Sequence, residues 1–257
     1  MKREKNTLFM YSNYFPIFLT GGRGLFGSVF LKKNKKIKKQ ILAPSSSRLD
    51  ITKKKEISQY LNKYMPKLII HAAALVGIKP CEENELLCKK VNIDGTRNLC
   101  TYAKKNNVRF IYISTDYVFD GNKGNYSEND KPNPRSTYGK SKLSAENIVK
   151  TLNNYLIIRT SFFSKKKWKY KEAFTDQYTS RIQIEELISK INKIIFTKFG
   201  GLIHIAGKRQ SLYNIAKKID KSTKPISLKD RRDLNIPNDI SLNTNKWNKL
   251  LKKLNNN

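Results

Sequence analysis

The chain has 257 residues, and its 52 lysines and arginines against 20 aspartates and glutamates give a formal net charge of +32 at pH 7. This length suits one sizeable core with a small appendage, and no stretch is apolar enough to predict a membrane span. Because the lysines are spread along the chain, we interpret the charge as solvated surface and expect no nucleic-acid partner. A basic nucleic-acid-binding protein is the alternative that the charge leaves open.

The first predicted strand, Phe15 to Thr20, runs into a glycine-rich turn and then a helical stretch that ends at about Lys36. The turn has the pattern Gly-x-x-Gly-x-x-Gly. Bare backbone at such a turn lets a pyrophosphate approach the N–H groups of the helix N-terminus. We therefore predict a dinucleotide site that includes Gly21, Gly24, Leu25, Phe26 and Gly27.

The second predicted strand, Gln40 to Ala43, is followed by Pro-Ser-Ser-Ser-Arg, where NAD enzymes usually carry an acid that binds the ribose hydroxyls. Hydroxyls and a guanidinium, here Ser47 and Arg48, suit a 2′-phosphate. The sequence thus favours NADP(H), with NAD(H) as the alternative. An ordinary polar turn would explain the same residues without a ligand.

The third predicted strand, at about 67–73, ends in the small residues Ala72, Ala73 and Ala74, which would let a cofactor lie against the backbone. A predicted helix with the string Val-Asn-Ile-Asp-Gly-Thr follows at 91–96. Three cysteines in or near this region lack both metal spacing and an even count. We expect them to be free thiols in a reducing compartment, and we expect no signal peptide.

Thr115 follows a fourth apolar strand, Val108 to Ile113, and would emerge at the strand end where ligands gather. Tyr138 and Lys142 are four residues apart, so on a helix they share one face. A cation beside a phenol favours the phenolate, so this pair predicts a tyrosine that exchanges a proton near neutrality. By itself the Tyr-x-x-x-Lys spacing is common in lysine-rich helices.

Further strands predicted at about 155–160 and 201–206 complete an α/β fold, a Rossmann-type doubly wound parallel sheet with a small, discontinuous C-terminal substrate lobe. Residues 1–160, with the late strand 201–207, would form the nucleotide-binding domain. Residues 161–199 and 208–257 would form the lobe.

Taken together, Thr-Gly-Gly-x-Gly-x-x-Gly, His-Ala-Ala-Ala, Val-Asn-x-x-Gly-Thr, Ser-Thr-Asp-Tyr-Val-Phe-Asp-Gly and Tyr-Gly-Lys-Ser-Lys-Leu resemble the extended short-chain dehydrogenase/reductases. More narrowly, the fourth string and Phe-Thr-Asp-Gln at 174–177 resemble the dTDP-4-dehydrorhamnose reductase branch. The resemblance implies NADPH-dependent reduction of the 4-keto group of a nucleotide-linked 4-keto-6-deoxy sugar in a cytoplasmic enzyme, as a monomer or homodimer.

By this resemblance, Tyr138 donates the proton, Lys142 lowers the pKa of Tyr138 and holds the nicotinamide ribose, and Thr115 hydrogen-bonds the same substrate oxygen. The resemblance also implies that Asp50, Ile51, Tyr138 and Lys142 contact the cofactor, together with the residues named above in the glycine-rich turn, the serine-arginine loop and the three alanines. The residues implied at the substrate are Asp116, Val118, Trp168 and Gln177.

Other activities of the superfamily fit less well. Dehydratases carry Thr-Asp-Glu where this chain has Thr115, Asp116 and Tyr117, and epimerase-reductases add a cysteine and a histidine. His71 and His204 lie in predicted strands and are expected to be satisfied core residues. Another nucleotide-sugar epimerase or reductase stays an alternative.

The stretch 163–176 is shorter than in the family. Within it, residues 165–171 mix lysines with a tryptophan and a tyrosine that could grip a diphosphate and stack a base, although a solvated basic loop fits equally. The shortening is compatible with a second alternative, a non-catalytic NADP-binding subunit like the regulatory subunit of methionine adenosyltransferase.

Overall fold

The computed structural model describes residues 12–165, 168, 170–231 and 236–256. Its strands, in chain order, are β1 (Ile17–Thr20), β2 (Ile41–Leu42), β3 (Leu68–His71), β4 (Arg109–Thr115), β5 (Tyr155–Thr160), β6 (Phe162–Phe163), β7 (Glu172–Phe174), β8 (Tyr178–Thr179), β9 (Ile182–Gln183), β10 (Gly201–His204), β11 (Gln210–Ser211) and β12 (Lys224–Ile226). Its α-helices are α1 (Leu25–Lys33), α2 (Lys54–Tyr64), α3 (Ile78–Glu83), α4 (Glu85–Cys88), α5 (Gly95–Lys105), α6 (Thr137–Val149), α7 (Ile184–Ile191), α8 (Leu212–Ile219) and α9 (Asn245–Asn255).

Within the described part of the chain, six parallel strands form the central sheet in the order β10-β5-β4-β3-β1-β2. Strands β1, β3 and β4 are buried along their whole length, which is why they read as continuous apolar runs rather than alternating patterns. The predicted parallel α/β sheet is confirmed.

Helices cover both faces of this sheet. On one face α1, α7 and α9 contribute side chains such as Phe30, Leu187 and Trp247 to a single buried cluster with the strands. On the other face α2, α5 and α6 pack through a second cluster that includes Leu61 and Leu99. The predicted doubly wound architecture follows from these two apolar layers.

The sheet is built outward from β1 in two directions: β2 lies on one side of β1, and β3 and the later strands lie on the other. The strand order therefore reverses between β1 and β3. In open α/β sheets a ligand crevice forms outside the carboxyl ends of the strands at such a switch point. The chain segments that follow β1 and β3 come close together here. A Cβ added to Gly21 would lie only 2.9 Å from the carbonyl carbon of Ala72.

The remaining short strands form three two-stranded pairs, β11 with β8, β12 with β7 and β6 with β9. They lie in the ranges predicted for the substrate lobe. Helix α7, in the same range, packs in the cluster on the face of the sheet. The division into a domain and a lobe stays a prediction. Among the described residues, no helix combines the length and apolarity that crossing a bilayer requires.

Candidate active site

The glycine-rich turn between β1 and α1 is a tight backbone cradle. The Gly24 N–H donates to the Gly21 carbonyl at 2.9 Å, and Gly21 has a φ of 71°. A Cβ on Gly27 would lie only 2.3 Å from that same carbonyl oxygen. Gly24 has no side chain to cap α1, so the N–H groups of the first helical turn face the crevice at the switch point.

The two apolar residues that begin α1 have different surroundings. Phe26 is buried and stacks on Phe30, with ring centroids 6.0 Å apart. Leu25 is 41% exposed. The turn therefore offers a bare backbone, and Phe26 anchors the helix behind it.

The loop after β2 carries the residues expected at the adenosine end of the cofactor. Ser45 and Ser47 are joined through their hydroxyls at 2.8 Å, and Arg48 is exposed. Asp50 accepts from the Thr52 N–H at 2.9 Å, and Ile51 is buried where a Cβ on Gly95 would meet it at 2.7 Å. Ser47 and Arg48 are thus available to a ligand, whereas Asp50 and Ile51 make local structural contacts; their roles at the cofactor stay predictions.

A buried hydrogen-bond chain fixes the loop Ala72–Ala74 after β3. The Thr20 hydroxyl accepts from the N–H groups of Ala72 and Ala73 at 3.2 Å each, and lies 2.7 Å from His71 Nδ1. Thr96 donates its hydroxyl proton to a backbone carbonyl, so it accepts from His71 Nε2 at 2.9 Å. His71 Nδ1 therefore accepts the proton of Thr20.

Burial, aided by the charge of Lys142, lowers the pKa of His71 to about 3, so this histidine is neutral. The expectation of a satisfied core histidine is confirmed for His71. His204 is also buried, and its pKa is lowered to about 3 chiefly by burial, while hydrogen bonds with backbone groups of Tyr126, 3.0 Å from Nδ1, and Asn243 oppose the shift.

Thr115 and Tyr138 come together because α6 packs against the turn that follows β4. Ser136 caps α6 by accepting from the Gly139 N–H at 3.1 Å. A Cβ on Gly139 would lie 2.2 Å from the Tyr117 carbonyl oxygen, so only glycine allows this approach. Tyr138 is 9% exposed and hydrogen-bonds with the Thr115 side chain.

Lys142 lies one helical turn after Tyr138 and is 3% exposed. Its ammonium donates to the Ile113 carbonyl at 2.7 Å and lies 4.1 Å from the centre of the Tyr112 ring. Burial lowers the pKa of Lys142 to about 7. The structure thus holds this cation inside the protein wall, next to the end of β4.

The pKa of Tyr138 differs from the sequence-based expectation. Burial raises it well above its usual value, and the charge of Asp116 raises it further, while the bond with Thr115 opposes both. The expected lowering of this pKa by Lys142 is therefore wrong for the structure, because desolvation of the phenolate dominates.

Asn92 organises the wall behind Tyr138, a role that the sequence motifs do not predict. It lies in a π-helical turn, Lys89–Asp94, and its Nδ2 donates to the Leu75 carbonyl at 3.1 Å and to the Ser141 hydroxyl at 2.9 Å. Its Oδ1 accepts from the Leu75 N–H at 2.7 Å. The only signal in the sequence is the Val-Asn-x-x-Gly-Thr string, whose spacing by itself indicates no chemical role.

The four residues implied at the substrate have different positions. Asp116 is fully buried, accepts from Thr115 at 3.1 Å, and has its pKa raised to about 6 by burial. Val118 is fully buried in a small apolar cluster with Phe119, and this burial does not favour the predicted substrate contact. Trp168 and Gln177 line a common cavity.

This cavity of about 1060 Å³ opens beside the catalytic candidates. Tyr117 forms part of its wall, and its ring centroid lies 6.1 Å from that of Tyr138. Trp168 and Tyr170 meet edge to face at 6.1 Å on another wall, beside Lys171. Of the predicted basic-aromatic stretch, residues 166, 167 and 169 lie outside the described residues.

The comparisons with known proteins agree with this arrangement. Residues 15–188 match the family described as the RmlD substrate binding domain. The chain belongs to this family. It is 31% identical over 182 residues to a dTDP-4-dehydrorhamnose reductase of Aggregatibacter actinomycetemcomitans, covering 70% of this chain and 60% of the relative.

The chain is also similar to two further proteins, whose names indicate different functions. Methionine adenosyltransferase 2 subunit beta of Danio rerio is 29% identical over 183 residues, covering 68% of this chain and 56% of the relative. The crystal structure of dTDP-4-dehydrorhamnose reductase from Bacillus anthracis in complex with NADP superposes with a TM-score of 0.81 and 27% identity, over 90% of each chain. The match to each of the two curated relatives covers less than two thirds of that relative's length.

Proposed function

We propose that this protein is an NADPH-dependent reductase of the 4-keto group of a nucleotide-linked 4-keto-6-deoxy sugar. The observation that carries the proposal is the convergence of Thr115, Tyr138 and Lys142 between the glycine-rich cradle and the cavity. A dehydrogenase or reductase of this kind needs a cofactor site and a proton donor at one carbonyl, and candidates for both lie at one edge of the sheet.

The residues at the crevice fit NADP(H). Gly27 allows the tight turn that presents the N-terminus of α1 to a pyrophosphate, since even one added carbon would collide with the turn itself. Ser47 and Arg48 offer hydroxyls and a guanidinium to a 2′-phosphate. NADP in the Bacillus anthracis relative supports the same assignment. When bound, the reduced cofactor supplies the hydride.

Tyr138 is suited to donate the proton. Because burial raises its pKa, the phenol carries its proton at neutral pH and is ready to protonate an alkoxide that forms within hydrogen-bond reach. Thr115, which hydrogen-bonds with Tyr138, would orient the same oxygen. Lys142 would hold the nicotinamide ribose.

The cavity fits an anionic substrate with a flat base. The described residues that line it include five cations and two carboxylates: Lys79, Arg135, Lys171, Arg181 and Arg231 against Glu82 and Glu172. Trp168, Tyr170 and Phe174 add aromatic faces. A nucleoside diphosphate sugar combines the negative charge and the stacking base that such walls bind.

A regulatory-subunit function is the second candidate, because of the similarity to methionine adenosyltransferase 2 subunit beta. Such a role requires the fold and the cofactor site but not a proton donor. The retained Thr115–Tyr138 hydrogen bond beside a large cavity favours the enzyme. We also place the protein in the cytoplasm, where the buried free thiols of Cys81, Cys88 and Cys100 would stay reduced.

The test follows NADPH oxidation at 340 nm with dTDP-4-keto-6-deoxyglucose, with and without a 3,5-epimerase. Turnover by the wild-type protein is expected, and Tyr138→Phe should lower kcat by about 10²–10⁴-fold while NADPH affinity stays unchanged. NADPH binding without reduction of any keto-sugar would contradict the reductase and favour the regulatory subunit.

A further inference from the structure

Arg181 is a cation within the wall of the cavity to which the sequence motifs give no role. It lies between β8 and β9 and is half-buried, whereas Lys79, Arg135 and Lys171 at the same cavity are exposed. Its guanidinium hydrogen-bonds with Tyr117, and its charge lowers the pKa of both Tyr117 and Asp116. Arg181 is therefore a cavity cation that interacts with Asp116 and Tyr117, the neighbours of Thr115 and Tyr138.

The backbone around Arg181 is held firmly. The Ile182 N–H donates to the Ser161 carbonyl at 2.9 Å, and the Gly207 N–H donates to the Ser180 carbonyl at 2.8 Å. A Cβ on Gly207 would lie 2.9 Å from the Arg181 carbonyl oxygen, so this strand passes close to the segment. A side chain carried by such a pinned segment is positioned before any ligand arrives.

The charge of Arg181 is only partly balanced inside the protein. Among the described residues, its Nε is buried without a hydrogen-bond partner. Asp116 is the acidic group whose charge it faces, and that carboxylate already accepts from Thr115 at 3.1 Å and Thr179 at 3.4 Å. Burying part of a guanidinium is costly unless an anion compensates it, so the site retains a capacity for an anion.

The position of this charge matches one part of the proposed substrate. Arg181 holds Tyr117, whose ring lies 6.1 Å from that of Tyr138, the proposed donor to the C4 oxygen. In a nucleotide-linked sugar the diphosphate is attached at C1, across the ring from C4. A cation one side chain away from Tyr138 is thus placed for the diphosphate rather than for the base.

We propose that Arg181 binds the diphosphate of the nucleotide-linked substrate and so sets the distance between the sugar carbonyl and Tyr138. This inference rests on the proposed function, whose substrate class it refines. A guanidinium can bind two phosphate oxygens at once, which orients the sugar as well as attracting it.

Calorimetric titration of the NADPH-loaded protein with dTDP, UDP, GDP and thymidine tests the proposal. With the nucleoside diphosphate that the wild type binds best, Arg181→Ala should raise Kd by about 10-fold or more, the loss expected for a charge-assisted hydrogen bond. Thymidine affinity should not change, because the nucleoside has no phosphate. Lys104→Ala, which removes an exposed charge on α5 that does not line the cavity, should change Kd by less than about 2-fold.

The variant Arg181→Gln separates the loss of charge from a loss of folding, since its amide can still donate to Tyr117. This variant should lose diphosphate affinity as the alanine variant does, and its NADPH affinity should be unchanged. Equal Kd values for the wild type and both variants would overturn the role of Arg181, as would an equal loss for thymidine. Neither of these two outcomes would contradict the proposed function, provided that the wild type reduces the keto-sugar. A wild-type protein that binds none of the nucleoside diphosphates and reduces no keto-sugar would overturn both.

Discussion

Glu146 on α6 and Arg159 on β5 form a bidentate ion pair in the interior of the protein. Arg159 Nε donates to Glu146 Oε1 at 2.9 Å and Nη2 donates to Oε2 at 2.7 Å, with the two side chains 1% and 0% exposed. Ser114 donates to the same carboxylate at 2.6 Å. These bonds link α6, the helix that carries Tyr138 and Lys142, to the central strands β4 and β5 and so support the site.

Removing one partner of this ion pair should be strongly destabilising. Glu146→Gln would leave the Arg159 charge buried and uncompensated, and we expect the free energy of unfolding to fall by about 3–5 kcal/mol. Urea denaturation measures the change. Glu83→Gln is the matched control, because the bridge from Glu83 to Lys79 is exposed and 3.7 Å long, and it should have little effect. Equal, small losses in both variants would contradict a stabilising role for the buried pair.

The glycine cradle offers a matched pair of substitutions. In Gly27→Ala the new Cβ would lie 2.3 Å from the Gly21 carbonyl oxygen and 2.6 Å from the Gly22 Cα, so the turn must open. In Gly24→Ala the nearest atom would be 3.3 Å away. Fluorescence titration with NADPH should show Kd raised by about 10-fold or more for Gly27→Ala, because the turn is deformed, whereas Gly24→Ala leaves the turn intact and tests how closely the pyrophosphate approaches the bare backbone. Unchanged Kd values in both variants would mean that the cofactor does not use this turn.

Cofactor choice should depend on Arg48. If its exposed guanidinium binds the 2′-phosphate, Arg48→Ala should weaken NADPH binding by about 10-fold or more and leave NADH binding unchanged. Parallel titrations with the two cofactors give the ratio directly. Lys55→Ala removes an exposed charge on α2 and controls for long-range electrostatics. An equal effect of Arg48→Ala on both cofactors would contradict recognition of the 2′-phosphate.

The buried histidine His71 should make stability depend on pH. Its pKa is about 3 in the folded protein and about 6.5 in the unfolded chain, so between these values the unfolded chain binds a proton that the native state does not. Stability contributed by neutral His71 is therefore present above pH 6.5 and is lost as pH falls toward 3. Between pH 7.5 and 5 this loss amounts to about 2 kcal/mol.

His71→Asn should remove that dependence. Urea denaturation at pH 7.5 and 5 is expected to show that the variant loses about 2 kcal/mol less than the wild type over this interval. Comparing the two proteins isolates His71, because Asp116, whose pKa is raised to about 6, acts in the opposite direction in both. Parallel pH profiles for the two proteins would show that His71 is not the group responsible.

Local patterns in the chain are enough to locate much of the site. The glycines of the first turn, the position of Thr115 at a strand end and the four-residue spacing of Tyr138 and Lys142 all depend on neighbours in the chain. The structure confirms the strand, turn and helix that carry them. Val118, which only the resemblance places at the substrate, has its side chain buried in an apolar cluster, and its contact with the substrate stays a prediction.

What the sequence by itself determined was the order of strands and helices, the cradle at the first turn and the identity of the proton-donor candidate, because backbone geometry and side-chain periodicity are local. Only the tertiary structure decided that Arg159 neutralises Glu146, that Arg181 faces Tyr117 and Asp116, and that the pKa of Tyr138 is raised rather than lowered. Burial and the distance between charges control these properties. Both arise from packing between segments far apart in the chain, which no local pattern records.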